Sequence, residues 1–170
     1  MQNFLIILVA VLFLITMWVV TYRNILTHSL KGASQGDAMI RSIFAQIHDK
    51  LPYILEVLKD HKIYVSHHGQ EITGLRKKLL TKEASIIELF EAYGKIQVYL
   101  EKIFTVDTKG IKADVGFWES KAELQDLHDE LRLRIRDYNA HANDYNAKLI
   151  KFPGNLVASL FRMPAQRELQ

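Results

Sequence analysis

Hydrophobic residues fall into two kinds of pattern along this chain. Phe4 to Val20 (FLIILVAVLFLITMWVV) is a run of seventeen residues with no charge and no proline, and Thr21 and Tyr22 extend it. A helix of that length is about the minimum that crosses the hydrocarbon core of a bilayer. Trp18 and Tyr22 stand at its C-terminal edge, where amphipathic aromatics favour the headgroup region. Residues 1–22 are therefore expected to form one transmembrane anchor that meets the bilayer through residues 4–22.

Beyond the anchor the spacing becomes that of amphipathic helices. Ile40, Phe44, Ile47, Leu51, Ile54 and Leu58 step by four, three, four, three and four, which lays them on one seam. Gly32 to Gly36 is the first weak point before that seam, with Asp37 placed to cap the next helix. Pro52 interrupts the seam, removing a backbone donor and crowding the preceding turn, and predicts a kink and not an end. A second helix is expected from Gln70 to Ile103, on Ile72, Leu75, Leu79, Ile86, Leu89, Tyr93, Ile96 and Leu100, with one step skipped at Lys82. Turn residues at Val106–Gly110 close it. A third helix is expected from Gly116 to Lys151, on Phe117, Leu124, Leu131, Ile135, Tyr138, Ala142, Tyr145 and Leu149. Pro153-Gly154 stops it, and Asn155 is placed to cap a last short turn, Leu156–Phe161.

No segment alternates with the period of two that marks a strand. The expectation is an all-α protein: a single N-terminal transmembrane helix, then an antiparallel bundle of long helices over residues 23–163. Residues 164–170 are expected to fray after Pro164. Three long helices alternating in direction would put the Val106–Gly110 turn near the bilayer and the C-terminus far from it.

Charge orients the anchor. No basic residue precedes the apolar run, whereas Arg23, Lys31 and Arg41 come after it, opposed only by Asp37. The positive-inside rule then places the N-terminus outside and the bundle in the cytoplasm. The same lack of N-terminal charge, and the poor cleavage context of Thr21-Tyr22-Arg23-Asn24, argue against a signal peptide. With no cysteine in the chain, a lipidated thiol is excluded. The 22 basic and 19 acidic residues are interspersed, so the net charge of +3 forms no stripe for nucleic acid, and its juxtamembrane excess suits anionic headgroups.

Candidate chemistry is sparse. His61, His67, His68 and Glu71 are the densest ligating group, and spacings of three and four could bring His68 or His67 beside Glu71. Solvated turn side chains explain them better, and no Glu-x-x-His of a di-iron bundle occurs. His128 lies on the third seam among Asp126, Asp129 and Glu130, which suits a core histidine or, less often, a pH sensor. No catalytic constellation or phosphate loop has motif support, so neither catalysis nor a cofactor is expected. The Tyr-Asn pair repeats at a spacing of seven, Tyr138-Asn139 and Tyr145-Asn146. With Asn143 between them, the three asparagines form a polar ladder, of the kind that fixes register or oligomer state against a partner helix.

Three patches of the sequence resemble the LemA family. They are His48-Asp49-Lys50-Leu51-Pro52-Tyr53 to Lys59, then Lys112-Ala113-Asp114 to Phe117, and the stretch from Tyr138 to Ala158 with its Phe152-Pro153-Gly154-Asn155. Where relatives of that family carry a glutamate ten residues before the first Tyr-Asn, this chain has His128. The resemblance implies one membrane helix, a helical bundle, a place at the bacterial cell envelope in the inner membrane, and no assigned reaction. The expectation for function is a non-enzymatic scaffold or self-assembly module that engages other proteins or copies of itself. Pro52, Tyr138, Asn139, Asn143, Tyr145, Asn146, Phe152 and Pro153 are its structural or interaction residues. The alternative is a metal- or pH-sensing module built on the histidines.

Overall fold

The structure, a computed structural model, describes residues 1–61, 66–105, 111 and 114–169, with the backbone alone at 66 and 67. Among these residues it is all-helical and holds no strand. The elements are α1 (Gln2–Asp60), α2 (Ser66–Lys78), α3 (Ile86–Phe104), α4 (Val115–Ile150) and α5 (Gly154–Phe161). They divide into two compact units, Met1–Gly36 with Arg136–Gln170, and Asp37–Ile135.

In the unit Asp37–Ile135 the core grows from the seam of α1. Ile40, Phe44, Ile47, Leu51, Ile54 and Leu58 are completely shielded from solvent, and a side chain of that size contributes about 1.5–3 kcal/mol on full burial. Phe44 presses edge-on against Phe90 and Tyr93 of α3, at 5.8 and 5.7 Å between centroids. Further along, Phe104 meets Phe117, and Gly116 lies against the Tyr53 hydroxyl, so α3 runs in the direction of α1. Helix α4 runs the other way, with Lys50 paired to Glu123 and His61 3.9 Å from Asp114. Helix α2 packs on α3 in the opposite direction, beginning where His68 stacks on Tyr99. The four segments thus alternate in direction. Helix α1 continues through Pro52, whose ring is exposed.

The single helix expected from Gln70 to Ile103 is two helices. Its seam lapses at Lys82, and there the chain turns: Ser85 accepts the amide of Glu88 at 3.3 Å, and the Glu88 carboxylate takes the Ser85 amide at 2.7 Å. This reciprocal capping box starts α3 and holds the Glu88 pKa below its usual value, chiefly through the Ser85 backbone hydrogen bond. Arg41 anchors the turn from outside, donating to the Ala84 carbonyl at 3.0 Å. Asp37 does not cap a helix; it lies within α1 and pairs with Arg41 at 2.9 Å.

The unit Met1–Gly36 with Arg136–Gln170 packs the C-terminal end of α4 and α5 against α1 just past the apolar run. Leu26, Tyr145, Leu149, Val157 and Ala158 form its core, with Tyr22, Leu30 and Met163 around them. The Gly32–Gly36 stretch does not break α1. It lets α4 come close, since a Cβ on Gly36 would lie 3.2 Å from that of Tyr138. Ser29, buried, accepts from Lys148 at 2.7 Å. The C-terminal end of α4 therefore lies beside the end of the apolar run of α1 and not far from it, because the turn at residues 79–85 adds a reversal that the seam alone does not reveal.

Only three residues, Lys151 to Pro153, connect α4 to α5. The Phe152–Pro153 peptide is cis, and Pro153 stands at the N-cap of α5 without a side-chain cap. A Cβ on Gly154 would overlap the Lys148 carbonyl oxygen and lie 3.3 Å from the Tyr22 ring. Gly154→Ala is expected to lower stability by about 1–3 kcal/mol, the usual range for overpacking a filled site. Urea unfolding of the detergent-solubilised chain checks this, with Gly74→Ala, where the added carbon meets nothing within 4 Å, as the control.

Candidate functional site

The two Tyr-Asn pairs of α4 grip the C-terminal tail. The Tyr145 hydroxyl donates to the Pro164 carbonyl at 3.1 Å, and that of Tyr138 to the Arg167 carbonyl at 3.0 Å. Asn146 donates to the Gln166 carbonyl at 2.7 Å and accepts the Gln166 amide at 2.9 Å. Asn139 does the same to Leu169, at 2.7 and 2.8 Å. Seven residues of helix advance about 10.5 Å. Three residues of extended chain advance about 9–10 Å. The same contact therefore recurs once per seven helical residues and once per three tail residues, which explains the spacing of the repeat.

Two expectations change here. Residues 164–169 do not fray: they lie along α4, and Leu169 is buried. Asn139 and Asn146 do not form an amide ladder with a partner helix, because their amides are spent on the tail backbone. Asn143, between them, is exposed. Tyr145 is completely buried, and burial pushes its phenol pKa up. Phe152 is 72% exposed and its ring stands 6.1 Å from that of Trp18. Replacing Asn139 or Asn146 by Leu removes two hydrogen bonds at a time, an expected loss of roughly 2 kcal/mol. Hydrogen exchange checks this residue by residue: the Leu169 amide should lose protection in Asn139→Leu, and the Gln166 amide in Asn146→Leu.

A second polar arrangement lies in a cleft of about 520 Å3 in the other unit, lined by Tyr93, Gln97, Phe104, Trp118, Lys121 and His128 among others. The Gln97 amide nitrogen donates to the Tyr93 hydroxyl at 3.3 Å and to His128 Nδ1 at 2.5 Å. Lys121 lies over the rings of Phe104 and Trp118, at 4.4 and 5.1 Å from their centroids. His128 was legible on the seam; Gln97, Trp118 and Lys121 lie off it and carry no motif. Burial, above all, pushes the Tyr93 pKa up to about 12, against the smaller opposing effect of its Gln97 hydrogen bond. An unfolded tyrosine ionises near 10, so stability holds below pH 10 and falls by up to roughly 3 kcal/mol between pH 10 and 12. The fall in urea midpoint over that range should be shallower in Tyr93→Phe.

The histidine group is dispersed. His61 faces Asp114, and His68 stacks on Tyr99 with centroids 5.3 Å apart. Glu71 is exposed on α2, and the His67 side chain lies outside the described residues, as do the Val106–Gly110 turn and Lys112-Ala113. Among the described residues no three His, Cys, Asp or Glu side chains gather as a metal site.

The fold class is that of a long apolar N-terminal helix continued by a helical bundle. The model of the LemA family matches residues 38–170. The chain belongs to the LemA family. No curated protein matches it.

Proposed function

We propose that this chain is a single-pass membrane protein whose helical bundle serves, without catalysis, as a structural and interaction module at the bacterial envelope. One observation carries the reading: the apolar stretch of α1 is wholly unburied within the chain, with mean hydropathy 2.9 over its best window. Its large side chains from Phe4 to Val20 include Phe4 at 73% and Phe13 at 67% exposed. Such a surface needs a cover, and a bilayer supplies one of the right thickness.

Retention of the segment, as opposed to its removal as a signal, is supported by its continuity with the fold. Tyr22 and Leu26 come directly after it in the same helix and pack with Tyr145, Leu149 and Val157. Arg23, Lys31 and Arg41 favour the inner face of the membrane for the bundle, in the cytoplasm, with the N-terminus outside. The bundle then offers its long helical faces to other proteins or to copies of the chain.

The full chain, expressed in bacteria, is expected to stay in the membrane pellet after alkaline carbonate extraction and to keep its N-terminal segment by mass spectrometry. Protease should digest the bundle in inverted vesicles and spare it in intact spheroplasts. Release by carbonate, or a mature N-terminus near Tyr22, would overturn the anchor; the opposite protease pattern would overturn the orientation. Crosslinking in the membrane should then yield a discrete partner or homo-oligomer band, and a chain that remains alone under all linker lengths would sink the interaction role.

A further inference from the structure

Helix α5 is apolar on two sides. Val157 and Ala158 face the core, while Leu156 and Leu160, one turn apart, are 56% and 66% exposed, and Phe161 is 40% exposed. Phe152 and Ile150, just before it, are 72% and 77% exposed. Among the described residues no segment of this unit covers these side chains. Their position narrows what does. Gly154, at the start of α5, lies against the Tyr22 ring, and Phe161, at its end, lies under the Arg23 guanidinium, 4.8 Å from the ring centroid. Both ends of α5 thus touch consecutive residues of α1, Tyr22 and Arg23, which directly follow the apolar run. Phe152 in turn meets Trp18, the aromatic that closes the apolar run.

Charge points the same way. No acidic residue occurs from Met1 to Gly36 or from Tyr145 to Arg167, and these segments carry Arg23, Lys31, Lys148, Lys151, Arg162 and Arg167. A short helix with apolar side chains on its outer face, at the level of an interfacial tryptophan and set in segments whose only formal charges are cationic, has the composition of an element that lies in the headgroup region of an anionic membrane. We propose that α5, with Phe152, is a second membrane contact: it lies in the interface beside the anchor, with Leu156 and Leu160 entering the acyl boundary and Lys151 and Arg162 meeting anionic headgroups. The contacts of α5 with Tyr22 and Arg23, directly after the apolar run, and its exposed apolar face call for the same partner. This rests on the anchor reading above and extends it from one contact to two.

The chain has no cysteine, so single-cysteine variants of the full chain take one nitroxide each without further change. Leu160→Cys, Leu156→Cys, Ser159→Cys and Ile7→Cys are reconstituted in vesicles of phosphatidylcholine with about a quarter phosphatidylglycerol, and collision rates with oxygen and with a water-soluble nickel chelate are compared. Labels at 156 and 160 should favour oxygen severalfold more than the label at 159. Ile7 reports the anchor alone. An apolar environment at Ile7 with an aqueous ratio at 156 and 160 would overturn the proposal and leave the anchor standing; an aqueous ratio at Ile7 would remove the anchor and this proposal with it. Suppressed collisions with both reagents at 160, together with dipolar broadening, would assign the face to a second copy of the chain and overturn the lipid contact. Equal ratios at 160 in vesicles lacking phosphatidylglycerol would overturn the role given to Lys151 and Arg162.

Discussion

An asparagine side chain sets an N–H donor beside a carbonyl acceptor, as a peptide does, and the C-terminal end of this protein depends on that likeness. Asn139 and Asn146 each present an amide from a helix whose own backbone groups are already paired, and each engages both groups of one tail residue. A strand docking on a helix ordinarily has no ladder to join. Here two side chains supply it, and the tyrosines one position earlier take carbonyls of the same tail. The tail then closes over Tyr138 and Tyr145, and Leu169 finds a buried place. Without the amides the tail would leave its peptide groups facing an apolar helix flank, at a cost of about 1–3 kcal/mol for each group left unpaired.

Much of the architecture was legible because apolar spacing reports which face of a helix is buried. Every residue of the Ile40–Leu58 seam is shielded, and so are Leu89, Tyr93, Ile96, Phe117, Leu131, Ala142 and Tyr145. Spacing says less about where a helix stops. The seven-residue repeat resumes in register after Lys82, so it reads as one helix, while the signal that starts α3, Ser85 with Glu88 three residues on, is a matter of two polar side chains. The clamp was half legible: the Tyr-Asn repeat was evident, but its spacing of seven suits a second helix as well as an extended strand. Only the prolines at 153 and 164 mark the tail as a chain that cannot continue α4. The Gln97–His128 contact joins positions thirty-one apart, and nothing local in the sequence brings them together.

The odd number of reversals between α1 and α4 has the larger effect on function. It brings the last turns of α4, the Phe152–Pro153 peptide and α5 to the part of α1 that leaves the apolar run. The surface at that point is basic and partly apolar, as the proposed membrane contact requires. The unit Asp37–Ile135, with its cleft around Tyr93 and His128, is left for contacts of another kind.

The match between seven residues of helix and three of extended chain also acts as a vernier. Because the two scales coincide only at whole steps, inserting or deleting one residue between Asn139 and Asn146 turns one amide about 100° away from the tail, and a one-residue change between Gln166 and Leu169 turns the partner peptide about 120° away from α4. Only a paired change, a full seven in the helix with three in the tail, preserves the register. Length variation among sequences built this way is therefore quantised in this region, and an alignment that places a lone gap there misplaces the tail.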